Sequence, residues 1–192
     1  MKIQKQTFSA EDKELTKGEY QKLLEAAKQI ENQRLYYLMQ TICSTGIRVS
    51  ELKFITVEAV KSRQARINCK RKVRMIWLSG ELCRVLLMYI KENNIKSDSV
   101  FQTRTGKPLN RSNIWSDMKK LCKLAGVSEK KVFPHNLRRL FARTYYSLQK
   151  DIVRLADILG HSNVNTTRIY TMESGIVHRR QIQKLGQIFI RA

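Results

Sequence analysis

The sequence predicts a mainly α-helical fold with a small antiparallel β-sheet, an α+β arrangement. Three observations carry this. Apolar residues recur at helical spacing through most of the chain, and those segments are bounded by capping residues and glycine stops. Between Arg66 and Leu78 the apolar period instead falls to two, as in a pair of short strands. At 192 residues the chain is long enough for one sizeable core.

Residues 1–15 are polar and charged without periodicity, and read as a tail or linker. Thr16-Lys17-Gly18-Glu19 has capping-box spacing and opens a helix with Tyr20, Leu23, Leu24 and Ala27 on one face. A second helix carries Leu35, Leu38, Met39 and Ile42 and stops near Thr45-Gly46. Arg48 follows that stop, at the start of a helix over residues 49–55. Ile67 and Cys69, then Val73, Met75 and Trp77, mark the two strands, with Lys70-Arg71-Lys72 at the hairpin tip.

Ser79 caps a helix whose stripe is Leu82, Val85, Leu86, Tyr89 and Ile90. Thr105-Gly106-Lys107-Pro108 is a turn, and a helix follows over residues 111–125, stopped by Gly126. Pro134 opens a helix covering about residues 135–148, because a missing N–H costs nothing in a first turn. A short helix over residues 151–159 ends at Gly160, and Asn163 or Asn165 begins the one carrying Tyr170. Residues 174–192 hold a last helix, with Ile182, Leu185, Ile188 and Phe189 at helical spacing. The main domain therefore spans residues 16–173.

The chain carries 37 Lys and Arg against 16 Asp and Glu, a formal charge of +21. A surface that positive draws a polyanion, and nucleic acid is the default partner. Seven basic residues and no acid fall between positions 61 and 74, which suits either a solvated charged loop or a contact to a phosphate backbone. Cys43, Cys69, Cys83 and Cys122 are far apart, and no Cys or His pair has zinc spacing. Three of them lie in apolar helical patterns, as free thiols do in a reducing compartment. No apolar run approaches a membrane span, and the N-terminus lacks a signal-peptide core, so a cytoplasmic protein is expected.

The residues with chemical potential are spaced along the second half. His135 and Arg138 stand at i and i+3, on one helical face. His161 leaves from the stop at Gly160, and Tyr170 lies nine residues further on. Taken singly, these are a surface pair, a helix stop with a polar neighbour and a core or rim tyrosine; Arg48 alone is a helix-terminal cation. Taken together they suit the holding of one small anion, and a phosphodiester attacked by a phenol in particular. Phenols are weak nucleophiles at neutral pH, and guanidinium charge nearby favours the phenolate. Arginines also bind non-bridging phosphate oxygens bidentately and stay charged at any working pH.

Three blocks carry a family resemblance: TGIRVSEL (45–52), HNLRRLFA (135–142) and LGHSNVNTTRIYT (159–171). In order and spacing they resemble the tyrosine recombinase, or phage-integrase, family, across about residues 16–190. The resemblance implies that Arg48 and Arg138 clamp the phosphate, with Glu51 bracing Arg48. It implies that His135 and His161 assist and that Tyr170 is the nucleophile. It also implies a lysine in the β-hairpin that protonates the leaving 5′ oxygen; Lys70 fits best and Lys72 is the runner-up. The hairpin departs from many relatives in having no glycine around that lysine.

The function implied is a site-specific DNA recombinase or integrase catalytic domain, acting through a 3′-phosphotyrosyl intermediate without cofactor or metal. A type IB topoisomerase and a non-catalytic DNA-binding relative are the alternatives. The implied partner is double-stranded DNA, bound by a homotetramer on paired sites, with the isolated chain a monomer. The C-terminal helix either exchanges between protomers or folds back on its own domain. Relatives usually carry an N-terminal DNA-binding domain that this chain does not include, so weak, salt-sensitive DNA binding is expected of it alone. A bacterial, nucleoid-associated location follows from the same resemblance.

Overall fold

Helices begin where the sequence supplies a cap. The computed structural model describes residues 13–69, 72–96, 98–103, 105–171 and 182–184. Thr16 accepts from the Glu19 N–H at 3.1 Å while the Glu19 carboxylate takes the Thr16 N–H at 2.8 Å, opening α1 (Lys17–Gln29). Asn32 caps α2 (Gln33–Thr45), and Thr56 caps a short α3 (Val57–Lys61) that the sequence reading did not separate. Ser79 caps α4 (Gly80–Glu92) and Asn110 caps α5 (Arg111–Ala125). Pro134 occupies the first turn of α6 (Pro134–Gln149). Asp151 caps α7 (Ile152–Leu159), and α8 (Val164–Thr171) follows directly after Asn163. Gly46, Gly126 and Gly160 end α2, α5 and α7 in the left-handed conformation.

The main core is one cluster drawn from α1 to α6 and the hairpin, with Leu23, Leu38, Met39, Ile42, Leu86, Met118 and Leu137 among its buried members. Helix α2 packs on α6, and α1 on α5 and α2. A smaller cluster joins Ala142 of α6, Leu155 and Leu159 of α7 and Tyr170 of α8, with Phe141, Tyr145 and Tyr146 against it. Burying a leucine is worth about 2 kcal/mol, far more than helix propensity gives a segment this short. Packing on α6 therefore holds α7 and α8, and with them the residues at their ends.

Strands β1 (Gln64–Cys69) and β2 (Lys72–Trp77) pair antiparallel, Cys69 opposite Lys72 and Gln64 opposite Trp77. Opposed residues share a face. Ala65 and Ile76 point inward, and so do Ile67 and its partner Arg74. Val73, Met75 and Trp77 lie on the other face and are exposed, Trp77 at 73 %. The alternation in β2 thus marks the strand but not its buried side.

Two further expectations meet the structure differently. The segment over residues 49–55 is a 3₁₀ helix, Val49–Phe54. The chain is packed from residue 13 rather than 16: Leu15 is buried, the Lys13 carbonyl accepts from Asn136, and Glu14 pairs with Arg143. Arg143 also donates to the Leu15 carbonyl, so α6 supplies partners for the entering backbone. Lys70 and the helix expected over residues 174–192 lie outside the described residues, apart from the helical turn at 182–184. No described helix is long and apolar enough to cross a membrane.

Candidate active site

Four elements converge at the C-terminal end of α7. Its last carbonyls have no partner within the helix, and the helix dipole makes that end attractive to cations. Three arginines from separate parts of the chain use them. Arg74 of β2 donates to Ile158 O at 2.5 Å, Arg138 of α6 to Leu159 O at 2.7 Å, and Arg48 to Gly160 O at 3.3 Å. Arg138 also donates to the Gly46 carbonyl at the end of α2. Two helix ends therefore aim Arg138, which is 2 % exposed.

Gly46 and Gly160 are needed at those ends. Their φ angles are +64° and +65°, in the region that L side chains rarely adopt. A Cβ at Gly46 would lie 2.4 Å from the Phe141 ring, and one at Gly160 would lie 2.5 Å from Cδ of Arg74.

Glu51 sits beneath the arginines with its side chain 3 % exposed. Its Oε1 accepts from Arg48 Nη1 at 2.9 Å; its Oε2 accepts from the Arg48 N–H at 3.0 Å and from Arg74 Nη2 at 2.5 Å. Burial pushes its carboxyl upward, but the Arg48 N–H and the two guanidinium charges outweigh that and hold it below the usual range. Arg48 itself is 39 % exposed at the side chain, so part of its fork stays open to a ligand.

The histidines flank the tyrosine. His135 Nε2 is 3.4 Å from the Tyr170 hydroxyl, and both imidazole rings lie 5.7 Å from the phenol ring, centre to centre. The Arg139 guanidinium stands 5.9 Å over the same ring. Tyr170 is 6 % exposed. His161 bridges Arg138, at 3.1 Å from Nε2, and Thr167, at 2.9 Å from Nδ1. A guanidinium has donors alone, so Nε2 accepts and the imidazole is neutral with its proton on Nδ1, directed at the buried Thr167 hydroxyl. Burial first, then the charges of Arg138, Arg48 and Arg74, push His161 down to about 4. His135 moves down as well, through burial and then Arg139, Arg138, Arg111 and Arg48. Burial and the nearby Arg48 charge lower Arg138 to about 10, which leaves it charged at neutral pH.

Of the residues singled out by sequence, Arg48, Glu51, His135, Arg138, His161 and Tyr170 come together here. Lys70 lies outside the described residues, and Lys72 is described in its backbone alone. The sequence reading passed over Arg74, Arg139 and Thr167. Strand parity alone does not single out Arg74, since the apolar alternation of β2 runs through Val73, Met75 and Trp77 on the opposite, exposed face. Arg139 was legible as the i+4 neighbour of His135. Nothing in the sequence marked Thr167. Within the basic run, Lys61, Arg63 and Arg66 are exposed while Arg74 points inward.

Comparison with known proteins shows the family and the fold. Residues 13–175 match the model of the phage integrase family. The tyrosine recombinase XerH of Campylobacter jejuni is 33 % identical over 167 residues, covering 82 % of this chain and 47 % of the relative. The tyrosine recombinase XerD of Chlamydia trachomatis is 31 % identical over 142 residues, covering 70 % and 47 %. The chain spans about half the length of these curated relatives. Among solved structures, the XerA recombinase superposes with a TM-score of 0.75 at 28 % identity, covering 93 % of this chain and 64 % of that one. XerH bound to its difH substrate, before cleavage, superposes at 0.72 and 25 % identity, covering 89 % and 53 %. On the family match over residues 13–175, and on a fold shared with recombinases, the chain belongs to the phage integrase family.

Proposed function

We propose that this chain is the catalytic domain of a site-specific DNA recombinase or integrase that breaks and rejoins DNA through a 3′-phosphotyrosyl intermediate. The observation that carries the reading is the gathering of His135 and His161 against the Tyr170 phenol, with Arg138 on His161 and Arg48 on the neighbouring Gly160 carbonyl. The relatives named tyrosine recombinases, and the XerH complex with its DNA substrate, support it.

In this reading the scissile phosphate lies between the open fork of Arg48 and the guanidinium of Arg138. Charge grows on the non-bridging oxygens during attack, and preorganised donors stabilise it there. The Tyr170 oxygen bonds to phosphorus, with His135 receiving or guiding its proton. The bond to the 5′ oxygen breaks, and Lys70 gives that oxygen a proton. The bond energy is kept in the phosphotyrosine, so a 5′-hydroxyl from another strand can reverse the step. His161 holds Arg138 until the phosphate engages it, and its freed Nε2 then takes up a proton and donates to the anion.

The working partner is duplex DNA, and the working assembly is a homotetramer on paired sites formed from monomers. In that assembly the segment over residues 174–192 passes between protomers. The protein acts at the bacterial nucleoid.

Strand exchange tests the reading. Sequences captured covalently from a randomised nicked-duplex pool are placed in pairs on a supercoiled plasmid. Excision of the intervening DNA is expected. Relaxation without excision points to a topoisomerase, and DNA binding with neither reaction to a non-catalytic relative.

A further inference from the structure

Arg74 is placed by register and not by charge. Its strand partner is Ile67, which is 1 % exposed, so the arginine is carried inward among apolar neighbours. Its side chain is 15 % exposed and runs beneath the end of α7. There it donates to Ile158 O and to Glu51 Oε2. Gly160 leaves the room for it, since a Cβ there would lie 2.8 Å from Nε.

A packing role would be met as well by leucine or methionine, as it is by Ile76 and Leu78 on the same face. Burying a guanidinium costs desolvation, and here its Nε is buried with no partner. An arginine so placed serves something other than the stability of the strand. Arg48 keeps its own bonds to Glu51 and Gly160 O, so the clamp stands without Arg74. Among the described residues of the hairpin, the hydrogen bonds to Glu51 and α7 all come from Arg74.

We propose that Arg74 is a positioning residue that docks the lysine-bearing hairpin onto Glu51 and the carbonyl end of α7, fixing where the hairpin tip stands relative to the phosphate clamp. The inference rests on the function proposed above, with Lys70 as the group that protonates the leaving oxygen. Arg74 follows Lys70 by four residues and pins the strand that leads away from it.

A leaving-group substitution tests this. When the 5′ oxygen is replaced by sulfur, the thiolate departs without a proton, and a misplaced general acid no longer matters. The probes are the nicked duplexes captured by the native chain, made with oxygen or with sulfur at the 5′ bridging position. Arg74→Met keeps the apolar stem and the volume, and thermal unfolding confirms that the variant is folded. Its rate of covalent adduct formation is expected to fall about tenfold to a hundredfold on the oxygen duplex, within the range of a general-acid contribution. On the sulfur duplex it should return to near the native rate. Lys70→Ala should behave likewise, with a larger loss, while Arg48→Ala stays slow on both. Arg74→Lys reaches one of the two acceptors and should recover part of the rate.

Equal defects of Arg74→Met on the two duplexes overturn the proposal, because Arg74 then acts through the clamp or the fold. Native rates on the oxygen duplex overturn it too. Rescue of Arg74→Met by sulfur without rescue of Lys70→Ala leaves the docking role standing and moves the general acid to another hairpin residue. A native chain that forms no adduct on either duplex overturns the proposed function, and this inference with it.

Discussion

Arg138 donates from Nη2 to Nε2 of His161 at 3.1 Å, and this bond fixes both the charge and the tautomer of the histidine. The second nitrogen faces Thr167 at 2.9 Å. In the free protein His161 is an acceptor that occupies the arginine.

Long-range nitrogen–proton NMR of the free protein should show His161 protonated at Nδ1 and neutral at pH 6. A charged imidazole at that pH, or a proton on Nε2, contradicts the assignment. Adding duplex DNA places an anion between Arg138 and the ring, which favours the charged form and should move the titration upward.

The same shift has a consequence for stability. An unfolded histidine protonates near 6.5, whereas His161 in the fold resists protonation down to about 4. Across that window the unfolded chain holds more protons, so stability should rise with pH and level off above 6.5. His135, also lowered, acts in the same direction. Glu51 is held below its ordinary value, so its contribution is lost as pH falls below about 4.5. Denaturant unfolding over pH 4 to 7 measures this, and His161→Gln should flatten the upper part of the slope. An unchanged slope in that variant would falsify the linkage.

Gly46→Ala and Gly160→Ala should differ in what they disturb. Both force a side chain onto a φ near +65°, a cost of about 1–2 kcal/mol before any overlap. At Gly46 the overlap is with the Phe141 ring, so melting temperature and activity should fall together. At Gly160 it is with the stem of Arg74, a longer chain with more rotatable bonds. The stability loss there should be smaller and the loss of cleavage larger. Equal melting shifts with equal activity losses count against the distinction.

Helices were legible because their caps are local: Thr16 with Glu19, Ser79, Asn110, Asp151 and the glycine stops sit next to the segments they bound. The chemical residues were legible through their motifs. Tertiary geometry hid the rest. Val73, Met75 and Trp77 look like a buried stripe, yet pairing with Asn68, Arg66 and Gln64 turns them outward. The same register turns Arg74 in, and no local pattern announces that a strand arginine will meet a helix end 84 residues later in the chain. Leu15 reads as the end of a polar tail, and it is buried because α6 supplies hydrogen-bond partners around it.

Mapping the covalent link shows whether Tyr170 is the nucleophile. The native chain is reacted with its captured nicked duplex, the DNA is trimmed by nuclease, and the protein is digested with trypsin for mass spectrometry. A residual phosphonucleotide is expected on the peptide beginning Ile169-Tyr170-Thr171, with fragment ions placing it on Tyr170, and no adduct is expected from Tyr170→Phe although DNA binding persists. A phosphonucleotide on any other residue, or an undiminished adduct from Tyr170→Phe, contradicts that role.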